Sequence, residues 1–449
     1  MWSKKEPLPP ADRGQAAAVI IFMLGLGALL PWNFFITASQ YFNHRLAAAP
    51  NATSNGTSGV SAKNYNYDSW MVLLSKLPLL LFTLLNVFLY QWVRQRLRVA
   101  FSLIVILLLF CLTAALVRVP MRPDNFFSVT MATIWFMNIF SAVLQSSLFG
   151  LVSLFPPRYS TLFMSGQGLG GIFAALAMLF SILCNADVSS AALGYFITPC
   201  AATLLTLLCY LLLPKLEFAR FYLNRNPSGD AAAAAAAAAQ DPLTSSGWNS
   251  GKELEAEGKL LGERSSVLNV FKKIWLMAAC VTCVFAVSLS AFPVITVRVQ
   301  TVYKDDAAWD KVFTCVCCFI VFNVMDVVGR GVPYLVQWPS KESRLLPIAA
   351  LSRLVFIPLL MMCNIQTSWL PVLFHHDVAF VAIMALFSFS NGYLASLCVA
   401  YAPQLVQCKD CETAGSLMSF FLIVGLTVGA SFSFLLGKLV ETTGTSRPA

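Results

Sequence analysis

Eleven separate blocks of apolar residues, each about 20 or more long, run through this chain, and that is the length a helix needs to cross a hydrocarbon core of about 30 Å. They lie near 16–41, 69–92, 99–119, 126–155, 160–184, 191–214, 269–297, 309–336, 345–364, 378–402 and 413–437. Lipid offers backbone N–H and C=O groups no partners, so each block must be helical, and its interrupting Pro and Gly residues need neighbouring helices to compensate. Composition excludes the alternative of one large water-soluble core: 58% of the residues are hydrophobic and only 11% charged, against about a quarter charged in soluble domains. The predicted fold class is therefore an all-α polytopic membrane protein of about eleven transmembrane helices. Met1–Gln15 is polar and the first block is long enough to span, so no cleaved signal peptide is expected.

Charge sets the expected orientation. Val93–Arg98, the stretch after the sixth block and Lys341–Arg344 are rich in Lys and Arg, and basic short loops stay in the cytosol. The N-terminus is then cytoplasmic and, with eleven spans, the C-terminus extracellular. The same orientation places the sequons at Asn51 and Asn55, in the loop after the first span, outside the cell for glycosylation, which points to the plasma membrane. The net charge of +9 is spread over loops rather than one soluble face, so it marks topology and not a nucleic-acid partner. Most of the thirteen Cys residues fall inside spans, where a thiol packs as a small apolar group. Cys408 and Cys411 have C-x-x-C spacing but no second pair nearby to complete a metal site, and neither a metal nor a cofactor is expected.

Hydropathy collapses between the sixth and seventh blocks, where nine consecutive alanines, Ala231–Ala239, sit in Ser-, Gly- and Glu-rich surroundings that cannot bury a core. The expected division is a cytoplasmic N-terminus at 1–15, a six-helix bundle at 16–214, a disordered cytoplasmic linker at 215–268, a five-helix bundle at 269–437 and an extracellular tail at 438–449. A 6+5 division fits secondary carriers, in which two bundles rock about a site near the bilayer midplane.

Ionisable groups inside spans are costly and mark either function or a paired structural role. Asp326 and Arg330 stand at i, i+4 on one face of the eighth span, so they can pair and project together into a cavity. A carboxylate acceptor beside a planar guanidinium fork suits the hydroxyls of a ribose; a purely structural ion pair is the alternative. Asn323, one turn earlier, could extend the stripe. Lys76 and Arg353 are the other deep candidates, and Arg353 is equally suited to holding carbonyls of a neighbouring helix. Gln145 has an amide that donates and accepts at once, as a nucleobase edge requires, or it joins helices. Trp32 offers a face on which a base could stack, or it anchors the helix at the interface. Pro293 breaks the seventh span beside the expected pathway.

Gly166–Gly171 satisfies G-x-G-x-x-G literally, but lies in a long apolar block without the strand and βαβ unit that fingerprint needs. Its small residues, like Gly425 and Gly429, suit close helix approach instead. His44, His375 and His376 all fall in expected loops, which argues against a His proton relay in the membrane, and no P-loop pattern supports ATP drive. An enzyme would need a paired base and nucleophile or metal ligands in the spans, and the sequence offers neither.

Taken in order, Pro31–Phe35, Leu144–Gly150, Ser165–Gly168, Phe322–Asn323 with Asp326 and Gly329–Arg330, and Ser390–Leu394 resemble the equilibrative nucleoside transporter family along all eleven spans. Phe126–Ala132 and Ala192–Cys200 are most similar to the branch that also accepts nucleobases. The resemblance implies a major-facilitator-like fold and facilitative, uniporter-type transport of nucleosides and nucleobases by alternating access. It implies a central site lined by Trp32, Gln145, Asp326 and Arg330 with Asn33 nearby, an outer mouth narrowed by Ile36, Pro293 and Phe319, and an inner closing ion pair of Arg98 with Glu412. Ser141 stands where the members most sensitive to nitrobenzylthioinosine carry Gly, and Lys76 where mammalian relatives carry Met or Gln. A proton-coupled or organic-cation carrier of the same fold is the alternative.

Overall fold

The computed structural model describes residues 10, 12–37, 42, 45–46, 67–89, 93–184, 188–224, 267–365 and 370–440. Eleven long helical segments match the eleven apolar blocks: α1 (Ala16–Thr37), α2 (Tyr67–Leu89), α3 (Gln95–Arg118), α4 (Pro123–Val152), α5 (Pro157–Cys184), α6 (Val188–Leu212), α7 (Val267–Ala291), α8 (Ala307–Leu335), α9 (Leu345–Met361), α10 (Asp377–Tyr401) and α11 (Cys411–Val440). Among the described residues, eight helices are long and apolar enough to cross a membrane on length and composition alone. α9, at Leu345–Met361, is shorter than these eight and passes through a 3-10 turn at Arg353–Val355.

The exterior is apolar in a way water would not tolerate. On α3, Leu97, Phe101, Ile104, Leu108 and Leu112 recur every three or four residues and are all exposed, which makes one continuous oily face. α9 presents Ile348, Leu351, Leu354 and Val355 in the same manner. Lipid covers such faces at no cost, and polar side chains turn inward. Many of those inward hydroxyls donate to the carbonyl one turn back, as Ser75 does to Met71, Thr83 to Leu79, Ser165 to Thr161 and Ser388 to Met384. This satisfies a buried hydroxyl without a partner from another helix.

Within the first six helices α1 lies along α5, α2 along α4 and α3 along α6; within the last five, α7 lies along α11 and α8 along α10. The two sets meet along two seams, where α5 contacts α8 and α10, and where α11 contacts α4 and α2. Glycines permit these approaches. A Cβ at Gly425 or Gly429 would come within 2.6 and 2.5 Å of the carbonyl oxygens of Thr282 and Ala286, so α7 and α11 touch backbone to backbone.

Two features depart from the sequence expectation. The linker does not begin at 215, because Leu213–Lys215 forms a 3-10 turn and Glu217–Asn224 a short helix. Phe218 and Tyr222 on that helix join Phe155 and Tyr159, with ring centroids 5.0 to 6.3 Å apart, and this aromatic cluster pins it to the loop after α4 and the first turn of α5. Residues 225–266, with the alanine run, lie outside the described residues. Secondly, α8 is not a uniform α-helix: Thr314–Ile320 is π-helical, one turn before Asn323. A π segment inserts residues into the helical register and is often found near functional sites.

Candidate functional site

Asp326 and Arg330 lie on α8 where it packs against α5 and α10. The Arg330 Nε donates to Asp326 Oδ2 at 2.6 Å, as the i, i+4 spacing predicts. Asn391 of α10 donates from Nδ2 to the other carboxylate oxygen at 2.7 Å, so both Asp326 oxygens are engaged. Arg330 then reaches across the seam, its Nη1 donating to the Met164 carbonyl of α5 at 3.2 Å. The pair is 4% and 7% exposed, deep enough that removing either partner would leave an uncompensated charge.

Gly392 is what allows this approach: a Cβ there would collide with the carbonyl of Asp326. Helix α5 meets α8 by the same device. A Cβ at Gly168 would lie 3.2 Å from Arg330 Cδ, and one at Gly171 would collide with the amide oxygen of Asn323. On another flank of α5 a Cβ at Gly170 would lie 2.7 Å from Asn33 Nδ2. Asn33 of α1 and Asn323 of α8 therefore sit against neighbouring residues of α5, at one level of the bundle. Asn323 does not extend the polar stripe to Asp326 by a direct bond; its Nδ2 donates backward to the Phe319 carbonyl at 2.8 Å. Gln145 of α4 is 4% exposed, and its amide has no hydrogen-bond partner among the described residues.

Trp32 is half-buried, and its ring is engaged by a side chain of the neighbouring helix. Lys76 of α2 sits over its ring, with Nζ 3.6 Å from the ring centroid, a cation–π contact between α1 and α2. Arg353 holds carbonyls, as one of its two sequence alternatives had it: Nη1 donates to Val284 O at 2.6 Å and Nη2 to Phe387 O at 3.0 Å. It also donates to Ser288 Oγ at 2.9 Å and Ser390 Oγ at 3.1 Å, which ties the 3-10 turn of α9 to α7 and α10. Ser288 in turn donates to Asn391 Oδ1 at 2.6 Å, so a continuous polar chain runs from Arg353 through Ser288 and Asn391 to Asp326 and Arg330. Asn391 was not singled out as a site residue from sequence, although it stands in the Ser390–Leu394 motif. One uncharged amide in an apolar block does not reveal which of its faces is turned inward. Gln167 was likewise passed over; it is 2% exposed and its Nε2 has no partner among the described residues.

At the end of the bundle where α2 meets α3, Arg98 Nη2 lies 3.0 Å from Glu412 Oε1 of α11. Arg98 Nη1 donates to Asn86 Oδ1 at 3.0 Å, and Asn86 Nδ2 donates to Ser146 Oγ at 2.9 Å. Helices α2, α3, α4 and α11 are thereby joined in one network across the seam. At the opposite end Pro293 follows the last residues of α7, and Phe292 stacks on Phe322 at 4.0 Å and meets Phe319 edge to face at 5.6 Å. Ile36 falls within α1, with its side chain outside the described residues, where Asn51 and Asn55 lie as well.

Residues 131–438 match the model of the nucleoside transporter family. The chain belongs to that family. Among curated relatives, this nucleoside transporter family member is 48% identical to equilibrative nucleoside transporter 2 of Homo sapiens, over 96% of this chain and 99% of that one. It is 47% identical to the Rattus norvegicus protein of the same name over the same shares, and 42% identical to equilibrative nucleoside transporter 1 of Homo sapiens, again over 96% and 99%. Among solved structures, the proton:xylose symporter XylE of the major facilitator superfamily aligns over 94% of this chain and 88% of that one, with a TM-score of 0.61 at 12% identity. The superfamily transporter FucP aligns over 94% of each chain with a TM-score of 0.52 at 11% identity. At such identities the family member shares the fold with these proteins, and nothing is carried over about their ligands.

Proposed function

We propose that this chain carries nucleosides, and also nucleobases, down their concentration gradients by alternating access across the plasma membrane. The observation that carries the proposal is the Asn391–Asp326–Arg330 cluster. It is buried, it lies where the two helix sets meet, and Arg330 bonds to both sets at once. A carboxylate and a guanidinium together accept from and donate to vicinal ribose hydroxyls, and such groups placed on a seam change partners when the halves rock. The names of the relatives support nucleosides as the substrate class. Gln145, buried with an unpartnered amide, is the candidate for the base edge, while Trp32, Asn33, Asn323 and Lys76 border the same region.

In this cycle Arg98 with Glu412 closes the cytoplasmic side, and Ile36, Pro293 and Phe319 narrow the outer mouth. The orientation has the N-terminus in the cytosol and the C-terminus outside, with Asn51 and Asn55 glycosylated. Glycosidase treatment is expected to lower the apparent mass of wild type and to leave the Asn51→Gln/Asn55→Gln double variant unshifted; a shift in the double variant would count against this orientation.

The deciding experiment is uptake of labelled uridine into proteoliposomes with and without a proton gradient. The expected result is uptake that stops at equal concentrations inside and out, whatever the gradient. Accumulation above the external concentration when the outside is acidified would favour proton coupling instead. Hypoxanthine uptake in the same vesicles tests the nucleobase part.

A further inference from the structure

Lys76 lies near the middle of α2, within an apolar span. The other deep cations have oxygen partners: Arg330 has Asp326, Arg98 has Glu412, and Arg353 has two carbonyls and two hydroxyls. The Lys76 ammonium has the Trp32 ring at 3.6 Å and, among the described residues, no oxygen acceptor. A π face attracts the charge of an ammonium but leaves most of its three N–H donors unsatisfied, and an unsatisfied charged donor inside a span is costly. Lys76 is half-buried, so its ammonium is open to an acceptor from water or from a permeant beside it. Trp32 is followed by Asn33, which rests against Gly170, while the adjacent Gly171 meets Asn323 and Gly168 meets Arg330. The Lys76–Trp32 pair therefore borders the helices that carry the proposed substrate site.

We propose that Lys76 is a specificity-determining residue of that site: its ammonium, seated on Trp32, donates to an exocyclic carbonyl of the base and so selects keto nucleosides over their amino counterparts. The inference rests on the nucleoside-carrier function proposed above. Uracil and hypoxanthine present a C=O at the ring position where cytosine and adenine present an NH2. An ammonium has donors and no acceptor, so it bonds the first pair and opposes the second donor to donor. Discrimination of this kind is strong because the mismatched complex leaves buried polar groups unpaired. The same fixed charge repels cationic permeants.

The test compares uptake within the matched pairs uridine/cytidine and inosine/adenosine, for wild type, Lys76→Met and Lys76→Gln at equal surface expression. Members of a pair share the same ribose, so any change in how Asp326 and Arg330 hold it cancels in the ratio. Wild type is expected to favour uridine and inosine, and Lys76→Met to lower both keto-to-amino ratios by about tenfold, the weight of one charge-assisted hydrogen bond. Lys76→Gln, whose amide both donates and accepts, is expected to fall between the two. Unchanged ratios, or an equal loss for all four substrates, would overturn the inference and leave Lys76 a structural partner of Trp32. Should neither variant reach the membrane, competition in wild type decides: cytidine blocking labelled uridine uptake as strongly as unlabelled uridine does would overturn it. Failure of wild type to take up any of the four would instead overturn the carrier function on which the inference rests.

Discussion

Asp326 has no unused oxygen: Arg330 takes one and Asn391 the other. Asp326→Asn preserves shape, replaces one acceptor with a donor that faces either Arg330 or Asn391, and leaves a buried guanidinium without its counter-charge. Uridine transport at matched surface expression is expected to fall by about 10- to 150-fold, the equivalent of roughly 1.5–3 kcal/mol. Hypoxanthine lacks a ribose, so its uptake is expected to fall less if the carboxylate contacts that sugar; an equal fall for both would assign Asp326 to structure alone. Arg353 poses a different test. At 1% exposure it spans carbonyls and hydroxyls on α7 and α10 with a planar fork that a lysine ammonium cannot imitate. Arg353→Lys is expected to lower the thermal midpoint of the purified protein by several degrees. A midpoint within a degree of wild type would mean that charge alone suffices at that position. The pairing of Asp326 with Arg330 was legible in the sequence because i, i+4 spacing is a local fact of one helix. Asn391 and Ser288 come from other helices, and no spacing rule connects them to Asp326.

Helix α5 and its neighbours show what the glycines of Gly166–Gly171 are for. Rejecting a dinucleotide fingerprint there is consistent with the helix that forms, since successive glycines face α1 and α8 in turn and bring Asn33 and Arg330 against the same segment. The prediction with the sharpest internal control lies on the α8–α10 contact. Gly392→Ala places a methyl group against the Asp326 carbonyl, which is backbone and cannot swing aside, whereas Gly331→Ala meets only Ser165 Oγ at 3.8 Å. Overpacking of this sort costs about 1–3 kcal/mol. Gly392→Ala is thus expected to lower thermal stability and uridine uptake together, with Gly331→Ala close to wild type in both; equal behaviour of the two variants would refute the close approach. The π-helical turn in α8 was not visible in hydropathy, which carries the same apolar signal for either helix type.

Across the whole molecule, Arg98 and Glu412 join helices more than three hundred positions apart in the chain, and the proposed closure of the cytoplasmic side rests on that meeting. Arg98→Glu and Glu412→Arg are each expected to impair transport, and the exchanged double variant to recover part of the loss. Recovery is expected to be incomplete because Asn86 accepts from Arg98 and donates to Ser146, an arrangement that a glutamate at 98 would reverse. Strictly additive losses would show that the two side chains act independently. That the chain is a membrane-embedded bundle of about eleven helices in a 6+5 order followed from hydropathy and composition, because lipid leaves the backbone no alternative to the helix. The departures came where contacts distant in sequence overrule local character. The polar segment after α6 was expected to be disordered from residue 215, yet Phe218 and Tyr222 find Phe155 and Tyr159 and hold a further helix. A lysine in a span reads as a costly charge until the fold supplies the ring of Trp32 beneath it. Hydropathy and motif order reflect the solvent each residue will face and the helix it will form, properties carried along the chain one window at a time. Which buried polar groups meet depends on how the helices rotate and approach, and that is decided by side chains from several helices packed at once.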